Sequence, residues 1–127
     1  MASLWGTLWR WQRGRQGSGY DKLLLGGLPW PLPCDCYLLR FPTGSSVPPH
    51  TDRVRQGRHY RLNIILRPAK RGGEFVCARP IHASGRIKLF RPDVEEHSVT
   101  TIDEGTRWVL SIGWVRGARG GDTRPAA

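Results

Sequence analysis

The sequence predicts an all-β fold: a double-sheet jelly roll of seven or eight core strands, with a short helical segment ahead of it. Two observations carry this. Gly (16) and Pro (10) are spread along the 127 residues without a repeat period, which suits short strands joined by turns better than a helix bundle. From residue 36 onward, runs rich in Val, Ile, Leu and aromatic residues are cut every few positions by Gly, Pro or Asp. Short strands of that number close naturally as a jelly roll.

The elements follow in order. In residues 1–16, Leu4/Leu8 and Trp5/Trp9 are i, i+4 pairs, so a short amphipathic helix collects them on one face, with Arg10, Arg13 and Arg15 on the other. Such a helix either packs on the sheet or serves as a partner or membrane-surface anchor. Gln16-Gly17-Ser18-Gly19 ends it, residues 21–25 start a second short helix or strand, and GGLPWPLP reads as a rigid connector rather than a strand. Strands are expected over 37–41, 47–52, 58–66, 74–78, 86–90, 97–102 and 106–115. The strongest is RHYRLNIIL, where Tyr60, Leu62, Ile64 and Leu66 alternate with Arg61, Asn63 and Ile65. The length is that of one domain. It divides into a helical and Pro-rich support segment (1–35), a β core (36–115) that carries the candidate chemistry set out below, and a flexible basic tail (116–127).

Charge is lopsided. Lys and Arg number 20 against 10 Asp and Glu, a net +10. Between Arg53 and Arg91 stand 11 basic residues and one acid, Glu74. This favours anionic partners and leaves nucleic acid among them. Cys34, Cys36 and Cys77 make neither a disulfide framework nor a paired zinc motif, so free thiols in a reducing cytoplasm are expected. No run approaches the roughly 20 apolar residues of a transmembrane segment. The first residues lack the charged opening of a signal peptide.

Four residues carry the chemistry. His50 and Asp52 stand in PPHTD, His97 in EEHSVT and Arg107 in GTRWVLSIGWV. On a strand, residues i and i+2 face the same way, so His50 and Asp52 are presented together with Thr51 turned away. Two such groups cannot close a three-point site, and His97, heading a later strand, is expected to join them from the opposite sheet. Two imidazoles and one carboxylate occupy one face of an octahedral metal and leave three positions open, the arrangement of non-haem Fe(II) oxygenases. Arg107 adds a fixed cation with a planar fork for a carboxylate. His59 and His82 are expected in solvent, and Glu74 on the surface.

Residues 37–115 resemble the Fe(II)- and 2-oxoglutarate-dependent oxygenases, in particular the compact prolyl-hydroxylase-like branch, through PPHTD, HYRLNIIL, RGGEF, LFRPDVEEHSV and GTRWVLSIGW. The resemblance implies a double-stranded β-helix, a distorted jelly roll. It implies that His50, Asp52 and His97 are the catalytic, Fe(II)-binding residues. The cosubstrate 2-oxoglutarate would chelate the iron through its C1 carboxylate and ketone, and Arg107 would pair with its C5 carboxylate. Ser111 falls where family members often place a hydroxyl for that carboxylate. Val99 would wall the pocket, and Asn63, Arg61 and Tyr37 are candidates for cosubstrate or substrate contacts. The implied reaction uses O2 to hydroxylate a C–H bond and releases succinate and CO2.

The implied substrate is a peptide or protein side chain or an amino acid. The alternatives are an oxidative nucleic-acid demethylase or hydroxylase, a non-catalytic basic metal- or nucleic-acid-binding module on the same fold, and a cupin-like metal enzyme without 2-oxoglutarate. The last has no clear need of Arg107. The same three ligands accept Mn, Co, Ni or Zn. Little helical support or lid is evident for this family, so a dimer or a partner protein is expected to supply cover.

Overall fold

Twelve strands and no helix make up the described residues, which are 10–14, 18–28, 33–54 and 56–117 of the computed structural model. In chain order the strands are β1 (Trp11–Arg13), β2 (Asp21–Leu28), β3 (Cys34–Phe41), β4 (Val47–His50), β5 (Arg58–Arg67) and β6 (Arg71–Gly72). They continue with β7 (Phe75–Cys77), β8 (His82–Ala83), β9 (Ile87–Phe90), β10 (His97–Val99), β11 (Ile102–Glu104) and β12 (Arg107–Arg116). A seven-stranded sheet has the order β1-β2-β3-β12-β5-β9-β8, a three-stranded sheet the order β4-β10-β7, and β11 pairs with β6. All the pairings are antiparallel.

The two longest strands lie side by side at the centre of the large sheet, β12 against β5 and β3. Their length follows from β-branched and aromatic content that fits a pleated surface. On β12 burial alternates strictly from Arg107 to Val115. The apolar core joins the two sheets at one end: Phe41, Ile65 and Val109 from the large sheet meet Val47 and Val99 from the small one, with Ile102 beside them. Towards the other end the inward side chains become polar and the sheets separate around a cavity. No helix among the described residues is long and apolar enough to cross a membrane.

Several expectations are corrected. The helix expected in residues 1–16 is absent where the chain is described: Trp11–Arg13 is an edge strand paired with Asp21–Leu23 of β2, and residues 1–9 and 15–17 lie outside the described residues. Edge pairing satisfies a full row of backbone groups, whereas i, i+4 pairs stabilise an isolated helix by only about 0.2–0.5 kcal/mol each. Gly26–Leu28 of the supposed connector continue β2, with a register shift between Leu24 and Gly26. The segment expected as one strand over 97–102 is two strands in different sheets, because the chain crosses between sheets after Val99. Residues 103–104, expected in a turn, belong to β11, and β8 had no clear signal. The basic tail from residue 118 lies outside the described residues.

Candidate metal centre and its cavity

β10 lies between β4 and β7, and its register sets His97 opposite His50. The rings therefore stand side by side, with centroids 4.3 Å apart. His97 comes from the neighbouring strand of the same sheet, not from the opposite sheet as the spacing had implied. Asp52 lies beyond the end of β4, and its backbone N–H donates to the Pro92 carbonyl at 2.6 Å. That bond, rather than strand alternation, fixes the loop. It puts Oδ1 3.5 Å from His50 Nε2 and Oδ2 3.3 Å from His97 Nε2. One ligand atom from each of the three residues lies within 4.8 Å of the others.

The outer ring nitrogens decide what this cluster holds. His50 Nδ1 lies 2.8 Å from the Pro48 carbonyl and His97 Nδ1 lies 3.0 Å from the Glu95 carbonyl. A carbonyl oxygen only accepts, so each Nδ1 carries the proton and each Nε2 of a neutral ring is a bare lone pair. Two lone pairs then face a carboxylate, which is repulsive unless a cation lies among them. Ligand atoms about 2.1 Å from one shared ion stand roughly 3.0–3.4 Å apart at angles near 90–110°. The His97–Asp52 separation of 3.3 Å falls in that range and the His50–Asp52 separation of 3.5 Å just above it. Without a metal ion the same place falls to protons on the two Nε2 atoms: burial raises the Asp52 carboxyl, but hydrogen bonds and charge from protonated His50 and His97 then outweigh it and hold the group well below the usual carboxylate range.

Arg107 opens β12 and turns inward. It is 2% exposed, yet its Nη2 has no hydrogen-bond partner. Its guanidinium carbon lies 5.3 Å from the Phe41 ring centroid, and burial pushes its pKa down to about 10. A cation buried without a carboxylate is costly, and an anion beside it would offset that cost. Gly73, at φ +71°, passes close by: a Cβ there would collide with Ile102 and touch the Arg107 side chain. This explains the glycine pair of RGGEF.

Arg107 and all three clustered residues line one cavity of about 570 Å³ between the sheets. Val99, Phe75 and Phe90 form apolar wall beside the metal cluster, with Phe90 4.9 Å from the His97 ring. That volume is in the range of small-molecule sites.

A polar row closes the other part of the floor. Asp35 on β3, Gly113 on β12 and Arg61 on β5 are register partners across three strands. Because residue 113 has no side chain, the Arg61 guanidinium lies over β12 and reaches Asp35 at 2.9 Å; a Cβ there would strike it. Arg61 also donates to Ser111 Oγ at 2.8 Å, and Ser111 donates to Asn63 Oδ1 at 2.7 Å. Tyr37, the register partner of Ser111, lines the same floor. Ser111, Asn63 and Arg61 are thus bound to one another, two rows of side chains away from Arg107.

His59 corrects an expectation: it is 4% exposed, not solvated. Its Nε2 lies 3.4 Å from Arg61 Nη2, a group that can only donate, so Nδ1 carries the proton and is left without a partner. Burial, then the Arg61 charge, lowers its pKa and keeps the ring neutral. Asp35 and His59 belong to the cavity but had no spacing signal. The clue was their place in strands whose inward residues are polar. His82 is exposed, as is Glu74. The three cysteines are free and half-buried.

No protein-family model and no curated protein matches the sequence. Solved structures do match. The structure of KdgF from Halomonas sp. aligns with TM-score 0.56 at 16% identity, over 84% of this chain and 87% of that one. A cupin 2 conserved barrel domain protein from Rhodopseudomonas palustris aligns with TM-score 0.56 at 14% identity, over 86% and 72%. The fold is a cupin-type jelly roll. An oxidoreductase of the 2OG-Fe(II) oxygenase family from Burkholderia pseudomallei aligns with TM-score 0.57 at 23% identity, over 87% of this chain. The chain spans about half of that protein (52%). At these identities the likeness is one of fold alone. The jelly roll of this chain carries a potential His-Asp-His metal site within it.

Proposed function

We propose that this protein is an Fe(II)- and 2-oxoglutarate-dependent dioxygenase that hydroxylates a C–H bond of an amino acid or of a peptide or protein side chain. The carrying observation is the pairing, in one cavity, of a three-ligand cluster that needs a cation with a buried Arg107 that needs an anion. His50, Asp52 and His97 would hold the Fe(II), and Arg107 would receive the distal carboxylate of 2-oxoglutarate. Iron with O2 and this cosubstrate supplies the oxidising power, with succinate and CO2 as by-products.

The chain's own residues bind, orient and exclude. The carbonyls of Pro48 and Glu95 fix the imidazole tautomers, so Nε2 is available without a proton leaving. Val99, Phe75 and Phe90 keep water from the metal side of the cavity. The row Asp35–Arg61–Ser111–Asn63 is a connected floor whose hydroxyl and amide already have partners, so it suits the substrate side better than the C5 carboxylate. Neutral His59 adds a buried N–H donor there for a substrate carbonyl or carboxylate. Tyr37 borders the same side.

Aerobic incubation with Fe(II) and 2-oxoglutarate, with succinate measured, tests the reading. Wild type is expected to form succinate slowly without substrate and faster when an acceptor from an amino-acid or peptide panel is added. Asp52→Ala is expected to form none. A folded, metal-loaded wild type that releases no succinate across the panel would contradict the reading and favour a cupin-type metal enzyme of another reaction. A second substrate reading, a nucleic acid, rests on the exposed Arg53, Arg58, Arg67, Lys70, Arg71, Arg79 and Arg86. It requires succinate formation stimulated by oligonucleotide and suppressed steeply by salt.

A further inference from the structure

The open hydrogen-bonding groups on the floor of the cavity are donors. The charged residues that line it, histidines aside, are Lys22, Asp35, Asp52, Arg61 and Arg107. Asp35 and Arg61 pair with each other at 2.9 Å. Asp52 belongs to the metal cluster. Fe(II), Asp52, Arg107 and the dianion of 2-oxoglutarate would together carry no net charge. Lys22 is left over. Its ammonium makes no ion pair and no hydrogen bond among the described residues, and lies 5.3 Å from the centroid of the Tyr37 ring.

Tyr37 supplies a second donor. Its hydroxyl has no hydrogen-bond partner among the described residues, and burial raises its pKa, so it keeps its proton. Asn63 supplies a third, because Ser111 donates to its Oδ1 and Nδ2 is left with no acceptor. The fourth is Nδ1 of His59, a residue only 4% exposed. Donors without acceptors suit a ligand that accepts, and a cation among them selects an anion.

The register separates this corner from Arg107. Lys22 aligns with Leu39 and through it with Val109, and Tyr37 aligns with Ser111 and Asn63. Arg107 stands one row before Val109, on β12, two strands from β2. With rows about 7 Å and strands about 4.8 Å apart, the Lys22 and Arg107 backbones lie roughly 12 Å from each other. In the other direction, the row after Tyr37 is that of Asp35, Arg61 and Phe90, and Phe90 lies 4.9 Å from the His97 ring. Tyr37 is therefore one row from the metal side of the cavity.

We propose that the acceptor substrate carries a free carboxylate and that Lys22 and Tyr37 seat it. The ammonium and the hydroxyl each meet a carboxylate oxygen. The rest of the molecule extends past Asn63 towards the metal cluster, one row of about 7 Å, so the C–H presented there is a few bonds from the carboxylate. A free acid and an Asp or Glu side chain of a peptide offer the same chemistry, and the test separates them. The carboxylate seat stands on donors and register; that the seated acid is hydroxylated rests on the oxygenase reading.

Metal-loaded protein, with 2-oxoglutarate present and O2 excluded, is titrated calorimetrically with each standard L-amino acid, its N-acetyl derivative and its carboxamide. Blocked tripeptides with Asp or Glu at the centre form a further arm. At least one acid is expected to bind, and its carboxamide to lose that binding. Binding of a blocked tripeptide in place of the free acids supports the seat and assigns the carboxylate to a protein side chain. Lys22→Gln and Tyr37→Phe are each expected to weaken the acid by about 10- to 100-fold. Lys70→Gln is the control, since Lys70 pairs with Glu104 and does not line the cavity. Carboxamides that bind as well as the acids overturn the proposal, and so does a panel in which no carboxylate binds. A Lys22→Gln protein that loses its affinity for 2-oxoglutarate overturns it too, by putting the cosubstrate on Lys22. Acids that bind through Lys22 yet draw no succinate when O2 is admitted leave the seat standing and contradict the oxygenase reading instead.

Discussion

Arg107 is the most expensive side chain in the fold and the most telling. Lowering its pKa from 12.5 to about 10 by burial corresponds to a cost on the order of 3 kcal/mol in the ligand-free protein. The sign follows: a basic group with a depressed pKa destabilises the fold wherever it is charged in both states, which is the whole range below about 10. Arg107→Met, similar in volume and uncharged, is therefore expected to unfold at the same or higher temperature than wild type when no ligand is present. It is also expected to lose the upward Tm shift that 2-oxoglutarate produces in metal-loaded wild type. Thermal melts of both proteins with and without the cosubstrate decide it. A variant still stabilised by 2-oxoglutarate would show that its carboxylate binds elsewhere.

The clustered ligands predict a pH dependence. Asp52 has a lowered pKa, so its contribution is fully present above the usual carboxylate range and is lost only as pH falls below it. Metal release on acidification is then governed by the imidazoles, which must bind protons to let go. A metal competition titration is expected to show affinity falling by up to about a hundredfold per pH unit on acidification, because each of the two imidazoles takes up a proton when the metal leaves. A fall that begins only near pH 4 would assign control to the carboxylate instead.

At the scale of elements, two glycines leave room that neighbouring side chains occupy. Gly113 lets Arg61 reach Asp35 across β12. Gly113→Ala is expected to keep the fold, costing about 1 kcal/mol for the lost hydrogen bonds, and to raise KM for the substrate more than it lowers kcat. Gly73→Ala acts differently, because φ +71° is strained for alanine and its Cβ strikes Ile102. A loss of about 1–3 kcal/mol is expected from urea unfolding, with weaker cosubstrate binding through the displaced Arg107. Equal stability of the Gly73 variant and wild type would remove this account of RGGEF.

Much of the centre was legible in local sequence, and for a physical reason. His50 and Asp52 are close along the chain, and Arg107 begins a strand whose alternation is visible in RWVLSIGWV. The strand pairing of His97 was not legible, since register between β10 and β4 joins segments nearly fifty residues apart and leaves no local trace. His59 is buried although its sequence context suggests solvent, because the polar set of RHYRLNII is the inward one. A cavity lined by polar and charged side chains reverses the usual sidedness of its strands, and pattern reading assumes the usual sidedness. The N-terminal Trp and Leu spacing fits a helix locally, and the pairing of β1 with β2 overrode it for Trp11–Arg13.

For the whole molecule, the cavity sets the architecture. The apolar core closes one end of the jelly roll, and the His-Asp-His cluster, Arg107 and the polar floor line one cavity. Such a centre ties β4, the loop after it and β10 together, so a bound metal should stabilise the fold as a ligand of the native state alone. Chelation of the loaded protein is expected to lower Tm by several degrees, without loss of the β signature in circular dichroism.

The most direct test is an anaerobic titration of the purified protein with Fe(II) and then 2-oxoglutarate, followed by visible absorption. The account predicts a weak metal-to-ligand band that appears only when both are present, saturates at one equivalent of iron, and weakens in Arg107→Met. Well-folded protein that binds Fe(II) yet shows no band with 2-oxoglutarate would contradict it.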